Sequence, residues 1–156
     1  MSGIVVAIHI AADAGAPMQA LGKAEALPGE GLRGDRYQTG DGFYSATPTD
    51  PGARELTLIE EEALAAVLEE TGIALGVDEH RRNITTRGIR VDPLLGQRFR
   101  IGEVLCEGVR ACPPCNHLEA VTGKAVLAPL VHRGGLRARI VEGGWIRAGD
   151  AIQGVE

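Results

Sequence analysis

A chain of 156 residues has the length of one domain, and 44% hydrophobic residues suffice to fill a single core. The net charge of −5 argues against non-specific binding to nucleic acid or to anionic membranes. At 3% aromatic residues the chain also lacks the stacking platforms that single-stranded nucleic acid requires, while 22 glycines and 8 prolines fit short strands joined by tight turns.

Residues Ile4 to Ala11 are rich in Val and Ile and read as a first strand, and Ala24 to Leu27 as a second, ended by Pro28. Gly29-Glu30-Gly31-Leu32-Arg33-Gly34 spells G-x-G-x-x-G. A dinucleotide fingerprint must leave a hydrophobic strand and open a helix. Here a proline precedes the motif and loop-forming residues follow, so the reading is rejected. From Gly34 to Pro51 the composition is that of one long loop, a length that in a compact domain points to function or mobility. Within it Asp35 and Arg36 set opposite charges side by side, either to position an arginine or as a turn with a surface ion pair.

Glu55 to Ile59 reads as a short strand feeding a helix. Glu60, Glu61 and Glu62 fall in its first turn, where the dipole favours acid, and Gly72 stops it. Ala63, Leu64, Val67 and Leu68 recur at helical spacing and predict the buried face. Arg81 and Asn83 are two residues apart, so in extended chain they share a face, with Arg82 opposite. Such a pair can hold an oxyanion or the edge of a pterin, or simply dress an edge strand. Leu94 to Gly102 reads as a turn followed by an alternating strand, and Val104 to Val109 as the returning strand, carrying Cys106 as a small core residue. His117 to Val121 and Ala125 to His132 are predicted as short helices. Leu136, Ala138 and Ile140 alternate with Arg137 and Arg139 as a half-buried strand, and Trp145-Ile146 with Ala151-Ile152 is predicted as a closing hairpin. The sum is a single mainly β domain over residues 1–156, a closed or nearly closed barrel with a few short helices.

Chemistry concentrates in Cys112-Pro113-Pro114-Cys115. Proline fixes φ and removes an N–H, so two thiols stand on a stiff turn. Four readings stay open for it: a zinc site with His117 and Cys106, a dithiol couple, an inert structural pair, and a single reactive thiolate that ligates a soft metal or carries a persulfide. Three cysteines make no disulfide scaffold. With no basic signal segment and no membrane-length apolar run, the chain is expected to be cytoplasmic and free of membrane. All but two of the 16 basic residues are arginine. That bias follows either from codon usage or from recognition of phosphate and carboxylate.

Taken together, several stretches resemble the MOSC family, named for the C-terminal domain of molybdenum cofactor sulfurase. They are Gly31-Leu32-Arg33-Gly34-Asp35-Arg36-Tyr37, Glu55 to Glu60, Arg82-Asn83-Ile84, Leu95-Gly96 through Glu103, Arg110 with Pro114-Cys115 and Leu118, Arg133-Gly134-Gly135, and Gly144 to Asp150. The resemblance implies a β-barrel like that of pyruvate kinase and a role around the molybdenum cofactor. By the match it makes Cys115 the reactive residue and molybdenum ligand, with Arg81 and Asn83 contacting the pterin and Asp35, Arg36 and Arg110 completing the cofactor-binding set. Some members are proposed instead to carry sulfur taken from a cysteine desulfurase. A pyridoxal phosphate domain of its own is not expected, so sulfur would come from a desulfurase partner. Reduction of N-hydroxylated substrates would need a separate electron donor. Cys112 lies outside the family pattern, as a thiol placed to resolve a persulfide or sulfenate on Cys115.

Overall fold

The computed structural model describes residues 2–155. In chain order the elements are β1 (Ser2–Ile10), β2 (Gln19–Leu21), β3 (Lys23–Leu27), β4 (Gly31–Leu32), α1 (Arg36–Thr39), β5 (Leu56–Glu60), α2 (Glu61–Thr71) and β6 (Ile84–Arg87). Then follow β7 (Arg98–Ile101), β8 (Val104–Ala111), α3 (Asn116–Thr122), β9 (Leu136–Glu142), β10 (Gly144–Arg147) and β11 (Ala151–Gly154).

Seven strands close on themselves in the order β11-β7-β8-β9-β5-β6-β1, with β1 returning to β11 and β2 attached outside β1. Closure removes the open edges that a sheet of this size would otherwise present. The β5–β6 pair is parallel and α2 makes its crossover, while the other pairings are antiparallel. A parallel step cannot be made by a tight turn, which is why the helix is placed there. The small sheet β10-β3-β4 packs beside the barrel.

Alternation fills the interior. Leu136, Ala138 and Ile140 of β9 point into the barrel, with Phe99, Ile101, Val104 and Cys106 from β7 and β8. Each fully buried side chain of Leu or Phe size contributes about 2–3 kcal/mol. A second apolar cluster lies outside the barrel, where Ile59, Leu64 and Val67 meet Leu118, Val126 and Leu130, with Cys115 packed on its margin. This cluster seats α3 and so fixes the end of the cysteine turn.

The structure departs from the sequence reading at several points. Residues Ala125 to His132 form turns rather than a helix, because Pro129 has no N–H to give to the carbonyl four residues back. Leu68 is 50% exposed, so the buried stripe of α2 is Ala63, Leu64 and Val67. The long loop contains α1, capped by Asp35. The closing hairpin does not form: β10 pairs with β3 while β11 pairs with β1 and β7. Strand alternation does not continue back to residue 81 either, since Arg81 sits at φ 64 and β6 begins at Ile84.

Candidate functional site

β8 runs to Ala111 and the next two prolines cannot extend its ladder. The chain turns off there, with the Cys112 N–H bonded to the Gly135 carbonyl at 2.9 Å. Arg82 then ties the turn down from beneath. Its Nε donates to Gly134 O at 2.8 Å, its Nη2 to Cys112 O at 3.0 Å and Pro113 O at 3.2 Å, and its Nη1 to His80 O at 3.1 Å. Hydrogen bonds from a charged donor are roughly twice as strong as neutral ones. A cation buried without a carboxylate is therefore held by carbonyl dipoles, and in return it fixes the turn.

His80 supports this clamp. Its Nδ1 accepts the Arg82 N–H at 2.9 Å, which assigns the proton to Nε2, where it is donated to Thr85 Oγ1 at 2.8 Å. Burial, then the charge of Arg82 and the ring of His9, hold His80 well below its ordinary value, so the imidazole is neutral. Cys115 ends the turn at the N-cap of α3, its carbonyl receiving Leu118 N and Glu119 N. Its thiol takes no part in capping. Cys112 is buried and Cys115 half-buried, and both face one cavity of about 260 Å³. Cys106 belongs to the barrel core, where burial pushes its thiol up to about 12. It takes no part in this cavity.

Six arginines line the cavity: Arg36, Arg54, Arg81, Arg82, Arg110 and Arg137. Among the described residues every other arginine is within 4.0 Å of a carboxylate, and of these six only Arg36 is. In a chain of net charge −5 the arginines without a counter-ion among the described residues thus share one cavity with the two cysteines. Tyr44, Thr47, Pro48 and Thr49 form another part of its wall. Phe43 stacks on His117 at 3.9 Å and meets Tyr44 edge-on at 4.7 Å, and the Arg54 guanidinium lies 5.2 Å from the Tyr44 ring. The Tyr44 phenol is pushed up to about 12, first by its interaction with the Cys115 side chain and then by burial. It therefore keeps its proton beside that sulfur.

The residues singled out in the sequence divide into two groups. Cys115, Cys112, Arg36, Arg81 and Arg110 line the cavity. Asp35 and Asn83 stand behind it. Asp35 is spent on the N–H groups of Ala11 and Tyr37 and on Arg36 Nη1 at 3.1 Å. Asn83 accepts from Thr57 N and Oγ1, both at 3.1 Å, and donates to His9 O at 3.1 Å, stitching β5 to β1. These two position the arginines and Thr57. The left-handed backbone at Arg81 breaks the expected shared face and turns its guanidinium to the carbonyls of Ala14 and Ala16.

Sequence reasoning passed over Arg54, Arg137 and Tyr44. The surplus of arginine over lysine was the available signal, but it does not say which arginines converge.

The sequence model of the MOSC domain matches residues 32–153. No curated protein matches the chain. Among solved structures, the YuaD protein from Bacillus subtilis is similar at a TM-score of 0.80 and 16% identity, over 97% of this chain and 94% of that one. YiiM from Geobacillus stearothermophilus is similar at 0.72 and 16% identity, over 99% and 75%. YiiM from Escherichia coli is similar at 0.66 and 19%, over 100% and 70%. These likenesses concern the fold.

Proposed function

The chain belongs to the MOSC domain family, and from that premise we propose that it is a molybdenum-cofactor protein in which Cys115 ligates the metal. The observation that carries the reading is the meeting of one available soft thiol with arginines that have no counter-ion, in one cavity. Among the described residues no three His, Cys, Asp or Glu side chains gather to hold a bare metal ion. A single thiolate amid cations suits instead a metal that arrives with its own anionic organic ligand.

Arg36 and Arg81 would hold the cofactor's phosphate and the polar edge of its pterin, with Asp35 fixing Arg36 from behind and Arg36 donating to the Arg81 carbonyl. Arg110, which the resemblance assigns to the same task, stands across β8 beside Arg54 and Arg137. When bound, the cofactor would supply two-electron redox chemistry, such as reduction of an N-hydroxylated substrate with electrons from a separate donor. The chain's own residues orient, shield and hold protons. Arg82 aims the cysteine turn, Tyr44, Thr47, Pro48 and Thr49 wall the cavity, and the Tyr44 hydroxyl retains a proton next to Cys115.

Elemental analysis and pterin fluorescence of protein purified from a cofactor-producing host test the reading. Molybdenum and pterin are expected in the native protein and the metal is expected to be lost in Cys115→Ser. Metal that persists in the variant, or is absent from the native protein, overturns it. Sulfur carriage on Cys115 is the second reading, favoured by the buried Cys112 on the same cavity. It predicts the added mass of one sulfur atom on Cys115 after incubation with a cysteine desulfurase and cysteine.

A further inference from the structure

Arg110 of β8 and Arg137 of β9 are directly opposite each other in the ladder. Like charges in facing positions destabilise a strand pair. Two residues along β9, past the Gly108–Ala138 pair, the facing pair is Glu107 and Arg139, joined at 3.0 Å. The ladder thus supplies a carboxylate at one position and withholds it at the neighbouring one.

Arg54 adds a third cation from the loop before β5. Its charge interacts with Arg137 and Arg110, and together with burial these lower its pKa. Among the described residues each of the three makes a single long hydrogen bond: Arg54 Nη2 to Thr47 O at 3.5 Å, Arg110 Nη1 to Thr49 Oγ1 at 3.3 Å and Arg137 Nη1 to Ala53 O at 3.3 Å. A guanidinium has five N–H donors, so most of this capacity is unspent. Arg82 shows the contrast, with four bonds in the same cavity wall. The Nε of Arg54 is moreover buried and without a partner.

We infer that Arg54, Arg110 and Arg137 form a second oxyanion subsite, separate from the Arg36–Arg81 pair, that takes a phosphate group carried by the substrate. Three forked donors lining one cavity can serve the three oxygens of a phosphate monoester, and the dianion neutralises the repulsion between Arg110 and Arg137. Cys115 lines the same cavity, so a substrate held there by its phosphate places its remaining atoms beside the thiol. The assignment to substrate rather than to cofactor rests on the molybdenum reading; the presence of the subsite does not.

The test is titration of the full chain with inorganic phosphate at constant ionic strength, following the arginine Nε–H signals by NMR. In protein from a host that makes no cofactor, the Arg54 Nε–H signal is expected to shift saturably. The affinity is expected to fall at least tenfold in Arg137→Gln and in Arg110→Gln, the latter at an exposed position that leaves the core intact. Arg110→Glu supplies the missing carboxylate, so it is expected to abolish phosphate binding and raise the melting temperature. Arg81→Gln is expected to keep the Arg54 shift. No saturable shift, or binding lost in Arg81→Gln and retained in the Arg110 and Arg137 variants, overturns the subsite.

Repeating the titration on protein from a cofactor-producing host separates the two sources of phosphate. A retained Arg54 shift supports the substrate. A shift blocked in proportion to molybdenum content means that the trio holds the cofactor's own phosphate, which overturns the assignment. Absence of molybdenum alongside intact phosphate binding counts against the reading of Cys115 alone.

Discussion

Arg82→Ala withdraws the guanidinium from four backbone carbonyls at once: His80, Cys112, Pro113 and Gly134. A hydrogen bond from a charged donor contributes about 1.5–3 kcal/mol, and a buried acceptor left bare costs about 1–3 kcal/mol. The four do not add, because Pro113 lies where water can reach it. The expected loss is thus about 3–5 kcal/mol, or a melting point lowered by roughly 10 °C for a chain of this size. Arg82→Lys keeps the charge but has three donors on one nitrogen, so it should recover only part of that loss.

Urea unfolding followed by circular dichroism measures the midpoint, and native-state alkylation follows Cys112, which is 3% exposed in the intact turn. The variant should unfold at lower urea with an unchanged slope and should expose Cys112 to reagent. A loss below about 1 kcal/mol with Cys112 still protected would show that the prolines hold the turn without the clamp.

Acid should act through His80. Its folded pKa is depressed by burial, so below about 6.5 the unfolded chain takes up a proton that the folded chain refuses, and stability falls as the pH drops. His80→Gln should flatten that slope by up to about 1.4 kcal/mol per pH unit, read from urea midpoints across pH 5 to 7 (roughly the window of histidine titration). Alkali should act through Cys106, whose folded value is raised to about 12. Stability should fall as the pH rises above about 9, and Cys106 should resist iodoacetamide in the native state long after Cys115 has reacted. Gly135→Ala places a Cβ against the Leu58 carbonyl at φ 111, where neither β5 nor the turn can give way. A loss of about 3 kcal/mol or more is expected, seen as a lowered urea midpoint or insoluble expression.

The cysteine turn, the barrel strands and the helix stop at Gly72 were legible because each depends on local chemistry. Proline stiffens, alternation buries, and a left-handed position admits glycine. Asp35 and Asn83 were legible as important, but their partners were not, since a carboxylate and an amide that organise backbone N–H groups carry the same letters as ones that face a cavity. The misreading at Arg81 had a definite cause: alternation was assumed for a residue whose backbone is left-handed.

What the sequence determined by itself was a mainly β fold of the MOSC kind and the stiff turn that carries Cys112 and Cys115. Tertiary structure alone decided which arginines are spent and which are free. Arg137 and Arg139 look alike in the chain, yet Arg139 meets Glu107 across the ladder while Arg137 meets Arg110. That outcome depends on the register of β8 against β9 and on a bulge between Gly108 and Arg110. A one-residue slip would exchange every partner. Register is set by packing across the whole closed barrel, so the electrostatics of the site are a property of the fold and not of any one stretch of the chain.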